Sequence, residues 1–192
     1  GLSAPAGPIP TRRVTRAGSS HPWEGRPAHT RSRPGTHLGP GPVGMFVADL
    51  MQCEVVTLQA SDTLDLADDI MRLGRIRHLP VVVGERVVGI LSQRDLFRAA
   101  ISSLLQPQYA TEREWLARIP VHEVMTAPVV TAAPTLPVRA AVDLMLAARI
   151  GCLPVVHGGV LVGLVSETDC LRHLAHVLDL AETREQLPEF LQ

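Results

Sequence analysis

The chain of 192 residues contains no lysine, and all 18 of its Lys/Arg positions are arginine, which reads as a coding bias. Cysteine is scarce: Cys53, Cys152 and Cys170 are odd in number, widely spaced and without a Cys-x-x-Cys pair. They suit a reducing cytoplasm better than a disulfide framework. From Met45 to Gln192 no apolar run reaches the roughly 18–20 uncharged residues of a membrane span, so a soluble, cytoplasmic protein is expected. The catalytic motifs G-x-S-x-G, H-E-x-x-H and G-x-x-x-x-G-K-S/T are absent. With no nucleophile–base set in sight, an enzyme is the least supported class.

What is present is unevenly distributed. Residues 1–44 hold eight of the 16 prolines, eight of the 15 glycines, six arginines and one acid, Glu24. This segment is basic at +5, whereas the remainder carries −6. Such a Pro/Gly/Arg-rich leader has too few periodic apolar residues to offset its ordering entropy and is expected to be disordered. It lacks the apolar core of a secretion signal, and its prolines would stop the amphipathic helix of a transit peptide. It reads as a solvated tail, or as sequence upstream of a start at Met45. Nucleic-acid binding through its arginines is the weaker reading.

A shift of 74 positions lays residues 47–95 on residues 121–169 without a gap. Val55-Val56-Thr57 meets Val129-Val130-Thr131, Arg75-Ile76 meets Arg149-Ile150, and Leu79-Pro80-Val81-Val82 meets Leu153-Pro154-Val155-Val156. "GILSQRD" (89–95) meets "GLVSETD" (163–169), both Gly, two apolar residues, Ser, two variable residues, Asp. A gapless match over 49 positions is a duplication.

Each copy predicts β-α-β-β-α. The β-branched runs Val55–Leu58 and Val129–Thr131 predict first strands. Leu64, Ala67, Ile70, Met71 and Val138, Ala141, Leu144, Met145 have the spacing of a buried helical face. Asp62 with Asp65, and Thr135 with Pro137, read as helix starts. "LPVVV" and "RVVGIL" predict a hairpin turning at Gly84, matched by "LPVVH" and "VLVGLV" at Gly158-Gly159. A second helix follows each Ser, over 92–105 and 166–180. About 50 residues bury only a small core, so the copies are expected to pack together. The expected organisation is a leader 1–44, a first repeat 45–105, a linker 106–120 with a short helical pattern around Trp115, Leu116 and Ile119, a second repeat 121–180 and a tail 181–192.

The Ser-x-x-Asp device has two readings. Ser at a strand-to-helix junction with an acid three residues later is a capping box, which only starts a helix. The same helix N-terminus offers unpaired N–H groups and partial positive charge to a phosphate, while the Asp accepts from adjacent sugar hydroxyls. Both remain open on these residues alone.

The repeated "VMTAPVVTA", "RIRHLPVV" and "GILSQRDL" resemble the cystathionine β-synthase (CBS) domain family, in tandem over about residues 46–180. The resemblance implies an α/β (α+β) fold of two β-α-β-β-α repeats packed as a pseudo-two-fold pair, with adenosine-containing ligands in the clefts between them. Carried over residue by residue, it assigns Asp95 and Asp169 to ribose hydroxyls. Ser92, Ser166, Arg94 and Thr168 fall near phosphate; Thr57, Ala60, Thr131 and Ala133 fall around adenine. Before Leu-Pro the first copy has Arg77-His78 and the second Gly151-Cys152. An Arg fork and a His neutralise phosphate oxygens, and Gly-Cys does not. The cleft holding Asp95, Arg77 and Arg94 is therefore expected to prefer a phosphorylated ligand, and the one with Thr168 and Cys152 a less charged adenosyl compound.

Other candidates carry structural readings. Cys170, His173 and His176 have i, i+3, i+6 spacing, but surface or packing roles outweigh metal binding. Asp69 and Asp143 recur mid-helix on an expected solvent face, and Met51, Met71, Met125 and Met145 read as core. The sequence thus predicts a non-catalytic regulatory module for AMP, ADP, ATP or S-adenosylmethionine, with no required cofactor. It is expected to be a homodimer signalling to an unknown regulated protein. The competing reading is a ligand-free interaction or dimerisation module whose Ser-x-x-Asp only caps helices.

Overall fold

The computed structural model describes residues 44–102, 104, 109 and 111–185, with side chains as far as Asp179. The leader and the end of the tail, with Pro188, lie outside the described residues. The first repeat contains β1 (Leu58–Gln59), α1 (Leu64–Gly74), β2 (His78–Val83), β3 (Arg86–Ser92) and α2 (Gln93–Ser102). A connector helix α3 (Glu112–Leu116) leads to α4 (Val138–Ala148), β4 (Cys152–His157), β5 (Val160–Ser166) and α5 (Glu167–Glu185). β1 runs parallel to β2, and β2 pairs antiparallel with β3. β4 and β5 form the matching hairpin of the second repeat. Both hairpins carry an irregularity at the same repeat position, after Val81 and after Val155.

Glycine turns the chain where the sequence predicts: Gly84, Gly158 and Gly159 have φ of 65°, 58° and 84°, a region that side chains disfavour. α1 buries Leu64, Ala67 and Met71; α4 buries Ala141 and Met145, while Leu144 faces outward. The first strands are shorter than expected. Val129–Thr131 forms none, and the second repeat has only an isolated parallel bridge from Ala132 to Val155. Val55 leaves the sheet to join Val82 and Leu161 in a small core between the repeats. The helix starts also differ. α1 begins after Thr63, and Asp62 instead accepts from Gln59 N–H at 2.8 Å; α4 begins after Pro137.

The two main cores are built by exchange. The segment that opens the first repeat, Val47 to Met51, packs into the core of the second with Leu153, Val155 and Val165. Val121, which opens the second repeat, packs into the core of the first with Leu58, Leu79 and Leu91, and Met125 packs against that core. The hydrogen bonds match: Val47 N–H donates to Leu136 at 2.8 Å, Val121 N–H to Asp62 at 2.7 Å. This crossing explains the repeated glycine. A Cβ on Gly163 would lie 2.6 Å from Met51 Sδ and 3.0 Å from Gln52 O. On Gly89 it would strike Met125 Sδ and lie 2.9 Å from its Cγ. Only glycine lets the arms lie this close.

The connector packs on the first repeat. Leu116 and Ile119 are core residues, and Trp115 Nε1 donates to Ala99 O at 3.1 Å. Arg113 grips Asp69 with both nitrogens at 3.1 and 2.8 Å, and holds its carboxyl below the usual range. Asp143 pairs with Arg139, so both repeated mid-helix acids serve structure. Among the described residues no helix is long and apolar enough to cross a membrane.

Candidate functional site

Ser92 and Ser166 are the last residues of β3 and β5, so each hydroxyl sits where a strand hands over to a helix. In the first repeat, Ser92 N–H and Oγ donate to Asp95 Oδ2 at 3.0 and 2.5 Å, and Asp95 N–H returns a bond to Ser92 Oγ at 3.3 Å. Ser166 and Asp169 repeat this at 2.9, 2.6 and 3.3 Å. The capping boxes are therefore closed, and one oxygen of each carboxylate is committed to its helix start. The other oxygens differ. Asp95 Oδ1 has Arg98 at 3.9 Å, whereas Asp169 Oδ1 accepts from Gln52 Nε2 and Arg172 Nη1, both at 3.3 Å.

Register places the residues before Leu-Pro opposite the serines: His78 faces Ser92, and Cys152 faces Ser166. His78 is half-buried, and that burial, followed by the charge of Arg77, pushes its imidazole below the ordinary value. Cys152 is buried at 4% exposure, and its thiol is pushed up to about 12 by desolvation. Its side chain packs in the interior. Arg77 does not stay within its own repeat. Its Nη2 donates to Thr168 Oγ1 at 3.0 Å, with Glu167 Oε1 at 3.8 Å. Arg77 and Thr168, expected at different clefts, are thus joined directly. Gly151 lies close beside this meeting: a Cβ there would lie 3.3 Å from His78 Cε1 and 3.4 Å from Glu167 Oε1.

A cavity of about 940 Å³ opens beside this junction. Arg77, His78, Ser92 and Arg94 line it together. Arg149 and Glu167 join them, with Phe97, Leu146 and Leu171 as apolar wall. Asp95, Asp169, Ser166, Thr168, Thr57, Ala60, Thr131 and Ala133 are not among the lining residues. Thr57 and Ala60 flank β1, and the Ala60 carbonyl accepts from His122 N–H at 3.1 Å. Thr131 and Ala133 are exposed on either side of the Ala132 bridge. Cys170, His173 and His176 are not brought together as a metal site.

Arg149 escaped the sequence reading of the site. It ends α4 in the left-handed region at φ 54°, and Arg75 ends α1 the same way at φ 52°. A side chain there is costly, and glycine is the usual occupant. The repeated Arg-Ile pair was the available signal.

A family profile for the CBS domain matches residues 47–102 and 121–176. The chain belongs to the CBS domain family. Its two CBS domains are similar to an AcuB protein of Vibrio cholerae assigned to acetoin utilization, at 34% identity and TM-score 0.61, covering 76% of this chain and all of that one. They are also similar to the CBS domain pair of protein MJ0100, crystallised with 5′-methylthioadenosine and S-adenosyl-L-methionine. That likeness has 26% identity and TM-score 0.58, over 69% of this chain and 98% of the other. Among curated proteins, an A-adding tRNA nucleotidyltransferase of Geobacter sulfurreducens is 32% identical over 127 residues, 66% of this chain. The match spans only 13% of that enzyme's length. The region matched here is thus a small part of a longer protein.

Proposed function

We propose that this CBS pair is a non-catalytic sensor that binds an adenosine-containing ligand of the AMP, ADP or ATP type in the clefts between its repeats. The observation that carries this reading is the convergence of Arg77, Arg94 and Arg149 on one cavity beside the N-terminus of α2. Three guanidinium groups against the single carboxylate of Glu167 attract phosphate, as does the helix end. The same charge disfavours the sulfonium of S-adenosylmethionine, although the MJ0100 pair holds that ligand. The reading assigns Asp95 and Asp169 to ribose and Thr57, Ala60, Thr131 and Ala133 to the base. It requires no cofactor.

Signalling follows from the Arg77–Thr168 bond. A phosphate that draws Arg77 away changes what holds the two repeats in register, and the shift is bounded by the ligand's differential affinity for the two arrangements. The reading includes a homodimer in the cytoplasm. Phe97 and Ile101 on α2, and Leu171, Leu174 and Leu178 on α5, are at least half exposed, an apolar face that pseudo-symmetry makes self-complementary. A regulated protein would read the change.

One observation favours a second reading, a ligand-free interaction module: both capping boxes are already complete within the chain. A thermal-shift panel of adenosine, AMP, ADP, ATP and S-adenosylmethionine separates the two. Ligand at a hundred times its dissociation constant adds about 2.7 kcal/mol, or about 5–10 °C for a chain of this size. A shift with a phosphorylated member, lost in Asp95→Ala, supports the sensor. Midpoints that stay constant across the panel support the interaction module.

A further inference from the structure

The two arms that cross between repeats occupy equivalent places but end in different side chains. Gln52 pairs with Leu164 through backbone bonds of 2.8 and 2.9 Å; Thr126, its counterpart, pairs with Ile90 through bonds of 2.9 and 3.1 Å. The backbone register is the same, so the difference between the clefts lies in the side chain. The long amide of Gln52 reaches Asp169 and donates to Oδ1 at 3.3 Å. Thr126 has a shorter side chain, and among the described residues Asp95 Oδ1 receives no hydrogen bond from the arm above it.

The two carboxylates therefore meet a ligand in different states. Asp169 is already served on both oxygens, by Ser166 on one and by Gln52 and Arg172 on the other, and its side chain is 9% exposed. Asp95 is hydrogen-bonded by Ser92 on one oxygen, has Arg98 only at 3.9 Å from the other, and its side chain is 15% exposed. A pair of sugar hydroxyls can donate to Asp95 directly. At Asp169 a hydroxyl must first displace the amide, exchanging one charge-assisted hydrogen bond for another with little net gain.

We infer that Gln52 is the selectivity residue of the second cleft: its amide stands in for a ligand hydroxyl on Asp169, so the Asp95 cleft fills first. The inference rests on the adenosine-sensor reading above. It makes the order of filling a property of the arm, which the repeat motif itself leaves undetermined.

The test is calorimetric titration of the full chain with AMP. Wild type is expected to bind one equivalent tightly and a second more weakly. Gln52→Thr, which copies the first cleft, is expected to tighten the second step about tenfold, and Gln52→Met, which keeps length without the donor, to do the same. With 2′,3′-dideoxy-AMP, which lacks the competing hydroxyls, the gain should vanish. If wild type binds AMP and the second step is unmoved by either variant, or the gain persists with the dideoxy compound, Gln52 has no such role while the sensor reading stands. If AMP binds neither wild type nor either variant, the sensor reading falls and this inference with it.

Discussion

Arg77 of the first repeat and Thr168 of the second are joined by a 3.0 Å hydrogen bond across 91 residues of sequence. The bond links the residue that distinguishes the first Leu-Pro strand to the variable position inside the second Ser-x-x-Asp motif. It is exposed, with Arg77 at 55%, so its strength as a strut is small and its availability to a ligand is large. Arg77→Ala is accordingly expected to change stability by less than about 0.5 kcal/mol. The same variant should weaken AMP by about ten- to a hundredfold, the worth of a charged hydrogen bond, and leave adenosine nearly untouched. Equal losses for AMP and adenosine in parallel titrations would remove Arg77 from the phosphate.

The crossing arms make the motif glycines intolerant of any side chain. Gly163→Ala and Gly89→Ala are each expected to cost about 1–3 kcal/mol in urea unfolding, because the new methyl overlaps Met51 or Met125. Met51→Ala should recover part of the Gly163→Ala loss, limited by Gln52 O, which is backbone and cannot retreat. Recovery by an unrelated core truncation would contradict the specific overlap.

Thiol reactivity follows burial. Cys53 is exposed, Cys170 is raised mainly by burial, and Cys152 is raised to about 12. At pH 8 only about one part in ten thousand of Cys152 is thiolate. Iodoacetamide followed by peptide mass analysis should therefore label Cys53 first and Cys152 only after denaturant is added. Early labelling at Cys152 would show that β4 opens in the native state.

His78 sets a pH dependence. Its folded pKa lies below the ordinary 6.5, chiefly through burial. The unfolded chain then binds the proton more readily, so stability falls as pH drops from 6.5 toward the lowered folded value, and is unaffected above that window. His78→Gln should flatten the unfolding midpoint between pH 7 and 5.5 relative to wild type. A bound phosphate beside His78 opposes the shift, so AMP should steepen its own stabilisation as pH falls.

Much of the fold was legible in the repeat. The hairpins announced themselves by alternating apolar residues around glycine, and the amphipathic helices by Ala67, Met71, Ala141 and Met145 at helical spacing. The first strands were misjudged because a β-branched run reads the same in a sheet or in a contact between repeats, and Val55 took the contact. The swapped arms were invisible for a related reason. Val47 and Met51 align with Val121 and Met125, but alignment says that they are equivalent, not which core each enters. At the site, Ser92, Asp95, Ser166 and Asp169 were found at both helix starts, where their types and spacing demand. Arg149 and Gln52 act through reach across the fold, which spacing along the chain does not encode.

The exchange of arms has a consequence for how such a chain arises. A gene encoding one repeat would leave its own core uncapped and its arm without a socket. Two separate copies could complete each other only by trading arms as a domain-swapped dimer. Tandem duplication ties that bimolecular partnership into one molecule, at the high effective concentration of a short tether. Once the halves are joined, each socket is free to drift alone, and the two halves of a symmetric ancestor can acquire unequal tasks.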